Sequence, residues 1–295
     1  MEWRSTEPTV FADTKGMLVA AQVYQPSLLI SEFYGPLTMA DGLGRPMLVA
    51  NWKLLQTSVR GAPLLPERVS IAVDQATFER VKPEGNERLF NAAHAELHGR
   101  IVEGTAAGNP VIDLVLRLND AVAPTINPLT NKPFNADITF TLRGLKDFSP
   151  KPWPARFREI QAAGGRIDIT HARAQQGESI ALATGSLVIT DKGHLEGQLL
   201  ITVAGLDRLL PALGMDKLVA PGGRVDRLAS SLERLSPGLG NIAREHAGAG
   251  IAAGIGLIGE QTQLEGRRAV ILPLRITGGE MFLGNLPLGT ISPLF

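Results

Sequence analysis

Cysteine is absent from the 295 residues. That removes disulfides, thiolate nucleophiles, zinc–thiolate sites and iron–sulfur clusters. It does not select a compartment, because cytosolic and periplasmic chains can both lack cysteine. Aromatic residues are scarce at 5%, which argues against stacking as a binding mode. No sign of charge dominates, with 29 Lys and Arg against 29 Asp and Glu. No Lys/Arg block forms a basic tail, so nucleic acid is not an expected partner. Long apolar runs are missing too. The longest, Ile251 to Ile258 with its Gly and Ala neighbours, falls short of the ~20 residues a spanning helix needs. The opening MEWRSTEPTVFADTKG has no basic segment leading into an apolar one, so no secretory signal is read there.

What is present suits a β-rich core. Hydrophobic residues make up 44% and charged residues 20%, with Gly 32 and Pro 20 supplying turns. The clearest stretch runs from Gly164 to Gly205, where three runs of period two are separated by polar or glycine-bearing turns. Ile167 and Ile169 share one face, with Asp168 and Thr170 opposite. Asp191-Lys192-Gly193 makes a tight turn before Leu195, Leu199, Ile201 and Val203, which share a face. This pattern predicts an antiparallel meander with one buried face.

Earlier residues read similarly. Residues 6–60 predict strands of under ten residues each before Pro46, with a break at Tyr34-Gly35-Pro36, and then a longer period-two run over Pro46–Val59. Val69, Ile71 and Val73 alternate with polar or small residues, as do Ile112, Leu114, Leu116 and Leu118, and then Ile138, Phe140 and Leu142. Pro154 to Ala163, stopped by Gly164-Gly165, predicts a short amphipathic helix with Phe157 and Ile160 on one side. Further helices are expected between residues 206 and 258, and a hairpin over Ala269–Leu283. The expected architecture is α+β and β-dominated. An elongated, twisted antiparallel sheet packs on a few C-terminal helices, in a single domain over 1–295 with sub-sheets over 1–150 and 151–295.

Nothing in the chain identifies an enzyme, and no cofactor, metal or catalytic residue is expected. Gly254-Ile-Gly256-Leu-Ile-Gly259 fits a dinucleotide fingerprint, with Glu280 downstream. An apolar helical run precedes it where a strand is required, which favours a close-packed helix end. His94, Glu96 and His98 share a face if their segment is a strand, but the histidines then stand ~13 Å apart, too far for one metal ion. A solvated polar face is the better reading. His171 and His194 flank the meander with Asp168 and Glu196 nearby, and Ser179 or Ser186 could serve a triad. The segment around Ser179 lacks the final glycine of a nucleophile elbow, and strand-surface roles are expected. Trp3, Trp52 and Trp153 read as core or strand-edge anchors.

The one-sided aliphatic face of the meander leaves two readings open. It is either an ordinary sheet face packed on the C-terminal helices, or a surface that holds an acyl chain. In the second reading Leu187, Ile189, Leu199, Ile201 and Val203 line the groove.

Gly165, Ile167, Ile169, Gly185, Leu187, Gly193, Leu195, Gly197, Leu199, Ile201 and Gly205, with Leu272-Pro-Leu274, Gly279, Phe282-Leu-Gly284 and Leu286-Pro-Leu-Gly289, form a recurring pattern. In it the chain resembles a family of Gram-negative bacterial envelope proteins known as a domain of unknown function. The resemblance is strongest after residue 160. It implies a domain on the periplasmic face of the inner membrane, held by an N-terminal anchoring helix that this sequence does not show. The function expected is a non-enzymatic envelope protein that binds lipid or another acyl ligand on its apolar sheet face. The alternative is a scaffolding domain that binds an envelope protein partner through a sheet edge or the apolar C-terminal tail.

Overall fold

The computed structural model of the chain describes residues 2–4, 11–22, 24–62, 65–126, 128–205, 260–283 and 286–295. The strands are β1 (Glu2–Arg4), β2 (Phe11–Gln22), β3 (Gln25–Ala40), β4 (Pro46–Asn51), β5 (Leu54–Ala62), β6 (Leu65–Arg80), β7 (Glu87–Thr105), β8 (Gly108–Ala121) and β9 (Phe134–Leu142). After helix α1 (Trp153–Ala162) come β10 (Arg166–Gln176), β11 (Ser179–Ile189), β12 (Leu195–Ala204), β13 (Glu260–Leu264), β14 (Arg267–Thr277), β15 (Glu280–Leu283) and β16 (Leu286–Thr290). All sixteen belong to one sheet, and from β6 to β12 each strand lies beside the next in sequence. Every pairing is antiparallel. β9 pairs directly with β10, so strands on both sides of residue 150 share the sheet. The helices expected over 206–258, and the glycine motif Gly254 to Gly259, lie outside the described residues. The α-helix among the described residues is α1, which precedes the central meander.

The early strands are longer than the pattern predicted, with 12 residues in β2 and 16 in β3. Pro36 does not end β3 because no ladder bond is asked of it. β3 pairs with β5 as far as Phe33 and with β4 from Leu37 onward. Its register with β2 is irregular over the same residues. A proline nitrogen costs a sheet little where the pairing is already interrupted. The single strand expected over Pro46–Val59 is likewise split at Trp52-Lys53 into β4 and β5. Both halves keep one register against β6, Ala50 opposite Phe78 and Leu55 opposite Val73. Trp52 fills the gap between them. Its indole Nε1 donates to the carbonyl of Phe33 at 2.8 Å, and its ring lies against Gly35.

The meander forms as its period predicts, with one device the alternation does not announce. Ile169 pairs with Phe140, His171 with Thr139 and Ala172 with Ile138, so β10 carries an extra residue at Thr170. Ile167 and Ile169 before the bulge, and Ala172 and Ala174 after it, therefore stay on the same face. Without it, His171 and Arg173 would turn onto the apolar side.

Cross-strand pairing joins these faces into rows. One row runs Ile71, Leu97, Leu116, Ile138, Ala172, Ala183, Ile201, Leu272 across eight strands. Its neighbour runs Val69, Gly99, Leu114, Phe140, Ile169, Gly185, Leu199, Leu274. The opposite face is polar, with Glu96, Arg117, Asp137 and Arg173 in one row. The sheet is thus amphipathic over most of its breadth.

One end of the apolar face is covered. Phe157 and Ile160 of α1, with Leu145 and Phe148 from the preceding segment, pack on Ile112, Leu142, Ile189 and Leu195. The C-terminal tail joins them through Leu294 and Phe295. Gly193, at φ 78, forms the turn that receives the tail. The Leu294 amide donates to its carbonyl at 2.9 Å, and a Cβ on Gly193 would fall 2.8 Å from the Phe295 carbonyl oxygen. Arg158 lies over the Phe295 ring at 5.0 Å.

Candidate functional site

The five groove residues expected from the sequence all lie on the apolar face, but they do not line one opening. Leu187 is buried with Leu274 and Ile276, against partly buried Leu199 and Ile201. Ile189 is buried in the neighbouring cluster beneath α1 and the tail. Val203 is buried beside Val270. This half of the face, from β11 to β14, is largely closed, with Leu199 and Ile201 half-buried.

The open half lies from β5 to β9, which the groove expectation did not single out. Val59, Val69, Ile71, Val73, Leu114, Leu116, Ile138 and Phe140 are half-buried, and Leu97 is 38% exposed. Where no described residue outside the sheet packs over them, side chains on a sheet face shield only one another, and that lateral shielding leaves them in this range. A cleft of about 170 Å³ opens here, bounded by Val69, Gly99, Ile101, Ile112, Leu114 and Phe148. Gly99 forms its floor. Its φ is not in the left-handed region, and a Cβ would meet only the flexible tip of Leu114 at 3.3 Å. A glycine inside a strand weakens it, so one that the backbone does not require marks a place kept low on the surface.

The polar face carries the titratable groups. His94, Glu96 and His98 share a face of β7 as read from the sequence. His94 Nδ1 lies 2.6 Å from Asp74 and Nε2 3.0 Å from Glu96, whose other oxygen is 3.1 Å from His98 Nε2. The bonds to Glu96 and Asp74 hold the His94 pKa above its ordinary value. Bonding to His94 and His98 pulls Glu96 down to about 2. Arg117 bridges Glu96 and Asp137. Charges alternate along this ladder, and no group of three or more acidic or histidine side chains among the described residues is placed to hold a metal ion.

The residues considered for a triad have other partners. Ser186 donates to Asp168 at 2.9 Å, and Asp168 also meets Arg166 and Arg143. Ser179 donates to the Gly205 carbonyl at 3.1 Å. His171 stands opposite Thr139 in the middle of β10, and His194 sits in the β11–β12 turn. The Nδ1 of His194 is buried and has no hydrogen-bond partner among the described residues. Trp153 is 71% exposed and stacks on Phe157, so it shields the helix and is not a core anchor.

A family model described as an uncharacterized protein conserved in bacteria, DUF2125, matches residues 2–292. The chain belongs to the DUF2125 family. The match takes in the meander and the closing Leu-Pro-Leu and Phe-Leu-Gly segments that carry the family resemblance. No curated protein and no solved structure matches the chain. No helix among the described residues of this DUF2125 member is long and apolar enough to cross a membrane.

Proposed function

We propose that this DUF2125 protein is a non-enzymatic envelope protein that holds a lipid or another acyl chain on the open apolar face between β5 and β9. The observation that carries the reading is the unbroken aliphatic surface from β5 to β9, on which no Val, Leu, Ile or Phe side chain is buried. Contiguous apolar surface of this kind on a soluble domain marks a place where something apolar lies. The cleft over Gly99 gives a chain a place to start, with Phe148 as a wall. The helix-and-tail cluster shares Ile112 and Phe148 with the cleft, so a chain starting there extends away from it, toward Leu116 and Ile71. The setting implied by the resemblance, the periplasmic face of the inner membrane, supplies acyl chains. The occupied region moves from the Leu187–Val203 surface, which is largely closed, to its neighbours in the same rows.

The test is native mass spectrometry with solvent extraction on protein purified without detergent. A stoichiometric phospholipid or fatty acid is expected. Gly99→Val, whose side chain fills the cleft, is expected to lower that occupancy severalfold without moving the unfolding midpoint. Wild-type protein free of lipid under these conditions defeats the reading.

A second reading, a scaffold that pairs with a protein strand, has one observation in its favour. Among the described residues, the outer edge of β2 has a strand partner only at Phe11–Asp13. Farther along that strand Leu18 and Val19 are 61% and 54% exposed. Long apolar edges invite strand addition. Crosslinking from Val19 that traps a protein strand, in lipid-free material, would favour this reading over the first. The tail is less suited to such a role, because Ile291, Leu294 and Phe295 already pack on the sheet.

A further inference from the structure

We propose that the polar face carries a phosphate-binding site centred on Arg68. The pairing register sets Arg60 opposite Arg68, and Arg68 opposite Arg100. Three arginines on adjacent strands are therefore direct neighbours, on one face and all exposed. Like charges set directly opposite each other destabilise a sheet. Elsewhere on this face the chain avoids that cost. Arg117 lies between Glu96 and Asp137, Arg143 reaches Glu103 and Asp168, and Arg173 pairs with Glu265. In the arginine row, Arg100 alone has an acidic partner among the described residues, Asp113 at 2.9 Å. Arg60 and Arg68 have none among them.

The next row along the same strands repeats the logic with neutral donors. Ser58 stands opposite Ser70, and Ser70 opposite His98. Both serines are half-buried, and neither hydroxyl has a side-chain hydrogen bond to a described residue. The two rows make a grid of three arginines over two hydroxyls and an imidazole, with strands ~4.8 Å apart. A cavity of about 340 Å³ lies over it, lined by Arg68, Ser70, His98, Gly99 and Arg100 together with Asp113, Val115 and Thr139. Asp113 does not cancel the site, because Arg100 and the hydroxyl of Thr141 hold its two oxygens. Glu67, next to Arg68 in sequence, makes no ion pair with any of the three arginines. Arginine forks beside hydroxyl donors match a tetrahedral oxyanion carrying more than one negative charge. The shared chemistry is a phosphate group, borne by a lipid headgroup or free in solution.

The arginine side chains stand on the face opposite Val69 and Leu114, although Arg68 and Arg100 also border the apolar cleft, so phosphate binding and lipid occupancy are measured separately on each variant. Titration calorimetry with inorganic phosphate, and flotation with phosphatidylcholine vesicles containing phosphatidic acid, test it on the intact chain. Binding of inorganic phosphate, weakened at least about tenfold by Arg68→Gln, supports the site with a free anion as its ligand. Binding of vesicles alone, weakened likewise, supports it with a lipid headgroup. Arg60→Gln is expected to act in the same direction. The unfolding midpoint of Arg68→Gln is expected to hold or rise, because the change removes a charge between two like-charged neighbours. Absence of binding by either probe, equal binding by Arg68→Gln, or a clear fall in its midpoint overturns the proposal.

Discussion

Leu116 and Leu272 stand in the same cross-strand row of the same sheet, yet Leu116 is only half-buried while Leu272 is 2% exposed. Both are aliphatic residues at period-two positions, and both point to the same side. The difference lies in what the chain brings to that side. Between β11 and β14, next to Leu272 along the strand, Leu187, Leu274 and Ile276 pack with Met281 and Ile291 into a buried cluster. Alongside it, α1 and the tail pack with Leu142 and Ile189. Between β5 and β9 the packing of Leu145, Phe148, Phe157 and Ile160 reaches Ile112 and Leu142, and Leu114 and Leu116 beyond them stay half-buried. Alternation selects a face, and cover is a separate property.

The sharpest way to break this comparison is to truncate the two leucines in parallel. Leu272→Ala is expected to cost about 3 kcal/mol and Leu116→Ala about 1 kcal/mol, read from urea midpoints at constant slope. Equal losses would mean that the two regions are packed alike. Phe295→Ala should move the closed region toward the open one, at a cost of about 1–2 kcal/mol, because it removes a half-buried ring together with its contact to Arg158. An unchanged midpoint would show that the tail does not act as cover.

The open region has less cover on its apolar side, so its charged face should matter more. Glu96 titrates near 2 in the fold against an ordinary 4.5, so its contribution is complete above pH 4.5 and disappears as pH falls toward 2. After allowance for solvent screening this amounts to about 1 kcal/mol. His94, held above its ordinary 6.5, contributes fully below that pH and loses its contribution as pH rises through the raised value. Stability from this cluster should therefore plateau between the two. Glu96→Gln should flatten the acid limb of a pH series of urea midpoints, and a limb unchanged by that substitution would remove the cluster from the account. The smallest stability effect is expected for Gly99→Val, within about 0.5 kcal/mol. A large loss there would show that the cleft is structural space.

The faces of individual strands were legible in the sequence wherever period two ran unbroken, as in Leu114, Leu116 and Leu118 or in Leu199, Ile201 and Val203. The short helix was legible from Pro154 and Gly164-Gly165. Register was not. The extra residue at Thr170 looks like any polar strand position, and only pairing to β9 and β11 exposes it. Strand length was misread at Pro36 because a proline disrupts a ladder only where a ladder bond is due. Arg60, Arg68 and Arg100 are separated along the chain and become neighbours only when two pairings are known together. The groove expectation fell on the motif-rich meander because regular sequence is easiest to read there, and that regularity accompanies burial. Gly99 carried one available signal, a glycine at an apolar-phase position between Leu97 and Ile101.

From β6 to β12 each strand is laid beside the one before it. The breadth of the apolar face is therefore a counted quantity, advancing ~4.8 Å per strand. One strand added alone would reverse the chain and start the next strand from the wrong end of the sheet. A duplicated hairpin restores direction and side-chain phase at once and widens the face by ~9.6 Å. Inheritance can lengthen or shorten such a surface only in paired increments, and relatives of this protein should differ from it by even numbers of strands.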